Sequence, residues 1–349
     1  MSVISRNIPA PFFIKIESGA FSRMQNILQE NHLKFEKPFI ISSQNVLELG
    51  GNEIVAQFDE PSTYLISENS IKEGEEISRS LKENANDVVI CIGGGRTLDL
   101  GKFAATKAKI NYISIPTSPS NDGIASPVAV LKNSEGITES IGVNMPMGIL
   151  VDLDVMKSAP IDNIKAGTGD LLSNFSAIAD WQLSYKETGE QIDDFAASLA
   201  YSAADLVYGK FTGDMKIDLT SEQFLRTLVN GLILSGIAMN IAGTSRPCSG
   251  AEHEISHAID KLFPGKSMHG LQVSLGILIA EKLRKNSFEN YKSFFENVGL
   301  PVKPEDVNIT KDELVEAIMF APKTRADRYT ILEKENLSED KIKELVNSL

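Results

Sequence analysis

Residues 87–92, Asp87-Val88-Val89-Ile90-Cys91-Ile92, form a continuous β-prone run halted by three glycines, Gly93, Gly94 and Gly95. A strand that is apolar along its whole length has both faces covered, which points to a parallel sheet. Other runs repeat the pattern. Residues 38–43 start apolar and end polar, as at the carboxyl end of a strand, and 63–66 share that character. Residues 110–115 follow and are stopped by Pro116. Amphipathic stretches such as 71–84 and 98–108 lie between them. This alternation predicts a doubly wound α/β fold. The runs 126–131 and 149–152 look like extra strands flanking a turn.

From about Pro160 the strand-like runs disappear. Periodic helical segments take over at 171–187, 195–211, 221–241, 269–285 and 311–321, and Thr220-Ser221-Glu222-Gln223 supplies capping residues ahead of one of them. At 349 residues the chain exceeds one ordinary core. The expectation is an α/β dinucleotide-binding domain (Rossmann-like) over 1–160 and an all-α domain over 161–349 that binds metal and substrate, with the boundary near 155–165.

Lys and Arg number 34 against 47 Asp and Glu, a formal charge of −13. Such a surface repels nucleic acid and anionic membranes, so neither is expected as a partner. A phosphate on a ligand must then be met locally, by helix N-termini and a few placed cations. Cys91 sits in an apolar run and looks like a small core residue; Cys91 and Cys248 leave a disulfide open but unneeded. No basic segment followed by an apolar one opens the chain, and no apolar run reaches bilayer-spanning length. A cytoplasmic protein without membrane insertion is expected.

Two stretches carry possible ligand chemistry in the first half. Strand, glycine turn and helix start follow one another across Ile92-Gly93-Gly94-Gly95-Arg96-Thr97-Leu98-Asp99. Glycines let a backbone approach a ligand, and the helix start presents unpaired N–H groups to an anion. The pattern is not G-x-G-x-x-G, and a tight turn without a ligand would look the same. The next strand ends in Thr117-Ser118-Pro119-Ser120-Asn121-Asp122-Gly123-Ile124-Ala125-Ser126-Pro127. Small and hydroxyl residues there could line the crevice where open sheets bind ligands, or form a rigid connection.

The second half holds a histidine cluster. Of four histidines, three are His253, His257 and His269. His253 and His257 at i, i+4 project from one helix face, and His269 follows the Pro264-Gly265 break where the next helix begins. Imidazole is a common zinc ligand, and catalytic sites keep one position open. A carboxylate is offered by Asp170 after Gly167-Thr168-Gly169, placed at the head of a helix, where it could equally be a cap. Glu252 and Glu254 could ligate or could partner an imidazole N–H. The spacing is not H-E-x-x-H, so a zinc-protease motif is missing.

Taken together these stretches resemble the archaeal-type sn-glycerol-1-phosphate dehydrogenases. That family lies within the wider group of glycerol dehydrogenase, iron-containing alcohol dehydrogenase and dehydroquinate synthase. The resemblance runs through 93–102, 115–127, 167–170, 249–260 and 269–270. It implies a dehydroquinate synthase-like fold and Zn2+ held by Asp170, His253 and His269, with Asp170 also touching substrate. It implies NAD(H) or NADP(H) held by Gly94, Gly95, Arg96, Thr97, Leu98, Asp99, Thr117, Ser118, Pro119, Ser120 and Ser126. Asp122 and His257 would contact substrate and are the candidates for handling the alcohol proton. The implied reaction is the reversible reduction of dihydroxyacetone phosphate to sn-glycerol 1-phosphate, an oxidoreductase step on a CH–OH group serving phospholipid biosynthesis. A homo-oligomer is expected. Arg246 is a candidate for the substrate phosphate, or an ordinary exposed arginine. Ser42-Ser43-Gln44-Asn45 carries no acid to oppose a 2′-phosphate, so NADPH should be accepted alongside NADH. The competing expectations are a polyol dehydrogenase with an unphosphorylated substrate and a sugar-phosphate cyclase that uses NAD only transiently.

Overall fold

The computed structural model describes residues 8, 10–213 and 217–349. The expectation that no leader opens the chain falls largely on residues 1–7 and 9, outside the described residues. Two compact units emerge, one made of residues up to 119 with 123–160, the other of 120–122 with 161–349.

Among the described residues the first unit has eight strands: β1 (Phe13–Glu17), β2 (Pro38–Ser42), β3 (Ser62–Leu65), β4 (Val88–Gly93), β5 (Asn111–Pro116), β6 (Val128–Lys132), β7 (Thr138–Gly142) and β8 (Gly148–Asp152). Six form a parallel sheet in the order β1-β8-β5-β4-β2-β3. The expected both-face burial is present, since every residue of β2, β4 and β8 is buried. Along β4 the side chains alternate. Val89 and Cys91 enter one apolar cluster, and Val88, Ile90 and Ile92 enter the cluster on the opposite face. Each such fully buried aliphatic side chain contributes about 1.5–3 kcal/mol. The longest helices of this unit are α1 (Met24–Glu30), α2 (Ile71–Glu83) and α3 (Gly95–Ala108). Helix α2 starts on the Ser70 hydroxyl, which accepts the Glu73 N–H, while the Glu73 carboxylate accepts the N–H groups of Ser67, Glu68 and Asn69.

The runs near 126–131 and 149–152 are both strands, as expected, but no single turn joins them. Strand β6 instead pairs antiparallel with β7, a strand the sequence did not reveal, and β8 joins the main sheet between β1 and β5. Strand β1 was also unforeseen, because its alternating Phe13-Ile14-Lys15-Ile16-Glu17 is a short edge without a stop signal.

The second unit is helical: α4 (Ile161–Thr188), α5 (Asp194–Phe211), α6 (Glu222–Ala242), α7 (Ala251–Leu262), α8 (His269–Arg284), α9 (Phe288–Val298), α10 (Lys311–Phe320), α11 (Ile331–Glu335) and α12 (Glu339–Asn347). Caps are placed as expected, with the Ser221 hydroxyl accepting the Phe224 N–H at the start of α6. Among the described residues, α6 alone is long and apolar enough to cross a membrane, contrary to the expectation that nothing would be. Yet 67% of its most apolar window is buried within the protein. Both cysteines are free and buried.

Candidate active site

In the first unit the glycine turn is shaped by contacts that a side chain would break. Gly93 has φ of +158°, and a Cβ there would lie 2.6 Å from Thr97 Oγ1. Gly94 is the cap of α3, with no side chain satisfying the helix end, and a Cβ on it would meet Ser118 Oγ at an ordinary 3.7 Å. The Thr97 and Leu98 N–H groups donate to Gly94 O. The first N–H groups of the helix, on Gly95 and Arg96, have no intrahelical acceptor by position and form a seat for an anion. Thr117 N–H donates to Gly93 O, so the ends of β4 and β5 lie side by side. Strand β2 continues outward to β3 while β4 continues the other way to β5. The turn therefore sits at the point where strand order reverses, where open sheets bind ligands.

Around this turn Thr97, Leu98, Ser118, Pro119 and Ser126 are buried, Thr117 is half-buried and Arg96 is exposed. Ser120 groups with the second unit. Asp99 is engaged with a residue that sequence reasoning missed. Lys102 is fully buried, and its Nζ lies 3.1 Å from Asp99 Oδ1 and donates to Gly123 O and Ser126 O. Burial raises the Asp99 carboxyl, and the Lys102 charge opposes that shift. Lys102 thus ties α3 to the loop after β5. A lysine inside an apolar helix face was the available signal.

In the second unit Asp170, His253 and His269 converge, with one ligand atom from each lying within 4.8 Å of the others. Asp170 Oδ1 is 3.6 Å from His253 Nε2 and 3.9 Å from His269 Nε2. Two ligands each about 2 Å from one ion lie about 3–4 Å apart, so the spacing fits a shared cation. Asp170 is not a helix cap, as one expectation allowed, because α4 begins nine residues earlier, at Ile161. Gly167 and Gly169 also lie inside α4. A Cβ on Gly169 would lie 2.4 Å from Gly270 O, and one on Gly270 would lie 2.0 Å from Ala166 O. The two glycines let α4 and α8 touch backbone to backbone, which delivers Asp170 to His269.

Hydrogen bonds behind the two imidazoles fix which nitrogen faces inward. Glu252, fully buried, accepts the Gly250 N–H and the Ser176 hydroxyl, and its Oε1 is 3.1 Å from His253 Nδ1. The carboxylate accepts, so Nδ1 donates to it and Nε2 faces Asp170, where it holds either a proton or a cation. On the other side Gln272 Nε2 donates to Asp260 and to Ser267 O, leaving Gln272 Oε1 to accept the Ser256 hydroxyl at 2.8 Å. The Ser256 oxygen then accepts from His269 Nδ1, 2.9 Å away. His269 Nε2 also faces inward as a lone pair. Two oriented imidazoles and a carboxylate suit zinc or a similar divalent ion. Burial opposes charge on His253, but its hydrogen bonds with Asp170 and Glu252 outweigh that and lift the ring to about 9. The pocket is built around a positive charge. Ser256 and Gln272 were not foreseen; their spacing on α7 and α8 carries no local mark.

The remaining predicted residues lie close by. Asp122 donates its N–H to Asp170 Oδ2 at 2.9 Å, and its own Oδ2 accepts from Ser235 Oγ at 3.3 Å. His257 has its ring 6.1 Å from that of His253 and 5.9 Å from that of His269. Burial, the other two imidazoles and the Arg325 and Arg328 charges push His257 well below its usual value, so it is neutral. Glu254 faces away, accepting the Thr330 hydroxyl, and burial lifts its carboxyl to about 9. Arg246 is only 3% exposed, and its guanidinium pairs with Glu190 and donates to Ser184. It is neither an exposed arginine nor a free one.

The comparisons agree with this architecture. Residues 15–160 match the family model described as iron-containing alcohol dehydrogenase. The glycerol dehydrogenase of Schizosaccharomyces pombe has a TM-score of 0.78 at 21% identity, covering 99% of this chain and 90% of that one. A probable glycerol dehydrogenase from Sinorhizobium meliloti also scores 0.78 at 19% identity, with 99% and 98% covered. At such identities the likeness shows the fold. Sequence relatives go further. The Hyperthermus butylicus protein named glycerol-1-phosphate dehydrogenase (NAD(P)+) is 36% identical, with 95% of each chain covered. The Archaeoglobus fulgidus protein of the same name is 35% identical, with 94% of each covered. With that identity along nearly its whole length, the chain belongs to the glycerol-1-phosphate dehydrogenase family.

Proposed function

We propose that this chain reduces dihydroxyacetone phosphate to sn-glycerol 1-phosphate, reversibly, with NADH or NADPH, in the cytoplasm. The product would serve as the backbone of archaeal membrane ether phospholipids. The observation that carries the reading is the inward convergence of Asp170, His253 and His269 in a chain about a third identical to enzymes of that name. These three residues would hold zinc, which when bound polarises the substrate carbonyl as a Lewis acid. The nicotinamide supplies or takes the hydride, seated by the Gly94–Asp99 turn with Thr117, Ser118, Pro119, Ser120 and Ser126.

The chain's own residues orient and hold. The Asp122 N–H occupies Asp170 Oδ2 and leaves Oδ1 turned to the two imidazoles. Glu252 and the Ser256–Gln272 pair keep both rings in one tautomer. Neutral His257 and the Asp122 carboxylate would grip the substrate hydroxyls beside the metal ligands and relay a proton from solvent to the carbonyl oxygen as the hydride arrives, with the proton leaving by the same route in the reverse reaction. At Ser42 and Ser43, where β2 ends beside β4, no acid stands to oppose a 2′-phosphate, which supports use of both cofactors. The reading also includes a homo-oligomer acting on a small molecule, with no nucleic acid or inserted membrane segment. The test is an assay of zinc-replete enzyme with dihydroxyacetone phosphate and each reduced cofactor, followed by resolution of the product enantiomers. Net cofactor oxidation yielding the sn-1 enantiomer is expected. Faster turnover of unphosphorylated dihydroxyacetone, or no net oxidation, would overturn the proposal.

A further inference from the structure

The Arg246 pairing leaves the substrate phosphate without the cation first considered for it, in a chain of formal charge −13. The segment after α10 offers another. Residues 324–331 run against α7, the helix that carries His253 and His257, and are pinned at nearly every position. Thr324 Oγ1 donates to Glu254 O, and Arg328 donates to Ser249 O and to Ser245 Oγ. Tyr329 O accepts from Arg246, the Thr330 hydroxyl donates to Glu254, and the Ile331 N–H donates to Asp180. The Arg328 N–H closes a turn on Arg325 O at 2.9 Å.

Arg325 stands at the head of that turn, half-buried, and its guanidinium makes no hydrogen bond or ion pair among the described residues. Of the acids nearby, Glu254 is turned to Thr330, Glu190 pairs with Arg246, and Asp327 is exposed to solvent. Arg325 follows Thr324, whose hydroxyl lies 3.4 Å from Glu254 O, one turn of α7 before His257. A half-buried, unpaired guanidinium beside a second, immobilised one is a place where an anion is missing. His257, whose ring lies within about 6 Å of both ligand imidazoles, links that place to the reacting centre.

We propose that Arg325 grips the phosphate of the substrate, presented by a turn that Arg328 holds rigid, and so sets the preference for a phosphorylated over a free ketone. This rests on the substrate being dihydroxyacetone phosphate. Planar guanidinium donors match two phosphate oxygens at once, which a lysine cannot do.

The experiment compares kcat/KM for dihydroxyacetone phosphate with that for dihydroxyacetone in the wild type, Arg325→Ala and Arg325→Lys, each zinc-replete. The wild type is expected to favour the phosphorylated substrate. Arg325→Ala should lower that preference about 100-fold, with Arg325→Lys in between. Inorganic phosphate should compete with dihydroxyacetone phosphate in the wild type and more weakly in both variants. A wild-type preference that survives in both variants would overturn the role of Arg325 and leave the proposed reaction standing. A wild type with no preference would overturn the proposed reaction itself. Should Arg325→Ala fail to fold, the Arg325→Lys preference and its phosphate competition decide the matter.

Discussion

The sheet unit and the helical unit prepare their sites by different means. In the first, backbone groups form the proposed cofactor seat: Gly93 and Gly94 open a turn, and the start of α3 offers N–H groups. In the second, side chains do the work, and backbone glycines act at a distance by letting helices approach. The same residue type therefore serves opposite ends, an open seat in one unit and a closed contact in the other. Substitutions should separate the two.

The largest effect is expected in the helical unit. His253→Ala removes an imidazole donor and takes from buried Glu252 one of its hydrogen bonds, leaving those from Gly250 and Ser176, so kcat should fall about 10³-fold or more. Binding of NADPH, measured by fluorescence, should persist. Loss of cofactor binding as well would show that the two sites are not independent.

Gly270→Ala should come next. Its Cβ would lie 2.0 Å from Ala166 O, a backbone atom that cannot move aside cheaply. A destabilisation of about 1–3 kcal/mol is expected by thermal unfolding, together with weaker zinc binding. Gly94→Ala is the contrast, for its Cβ meets only Ser118 Oγ at 3.7 Å. The unfolding temperature should hardly change while KM for the cofactor rises about tenfold, one charge-dipole contact's worth. Equal destabilisation by both would break the comparison.

Gln272→Leu should leave the ligands in place but release the Ser256–His269 tautomer. Zinc affinity, from competition with a chromogenic chelator, should fall about 10- to 100-fold. The smallest effect belongs to the sheet unit. Burial works to raise the Glu73 carboxyl, but its hydrogen bonds to Ser67, Asn69 and Glu68 win and lower it. A lowered folded value stabilises above the unfolded value, near 4.3 for glutamate, and that stability is lost as pH falls through the folded value. Glu73→Gln should therefore cost about 1 kcal/mol at neutral pH, with the gap from wild type closing in acid.

Much of this was legible from residue order, and the exceptions have physical reasons. The core strands announce themselves because apolar runs buried on both faces stay apolar at every position, as in β4. Strand β8 could be seen as a strand but not placed, since its partners β1 and β5 lie far away in sequence. The histidines stand out by clustering. The roles of Gly169 and Gly270 could not be read, because a glycine that opens a turn and one that admits a neighbouring helix look alike locally; only the partner helix distinguishes them. Arg246 was misassigned for the same reason, its partner Glu190 being fifty-six residues away. Lys102, Ser256 and Gln272 matter through hydrogen bonds that no spacing rule encodes.

The central claim is that Asp170, His253 and His269 hold one divalent ion on which ketone reduction depends. The most direct measurement strips the protein with a chelator and titrates zinc back while following NADPH consumption with dihydroxyacetone phosphate. Activity should be absent at first and return in full at one zinc per chain, and His253→Ala should regain none of it. Full turnover in the stripped protein, or recovery in His253→Ala equal to wild type, would contradict the account.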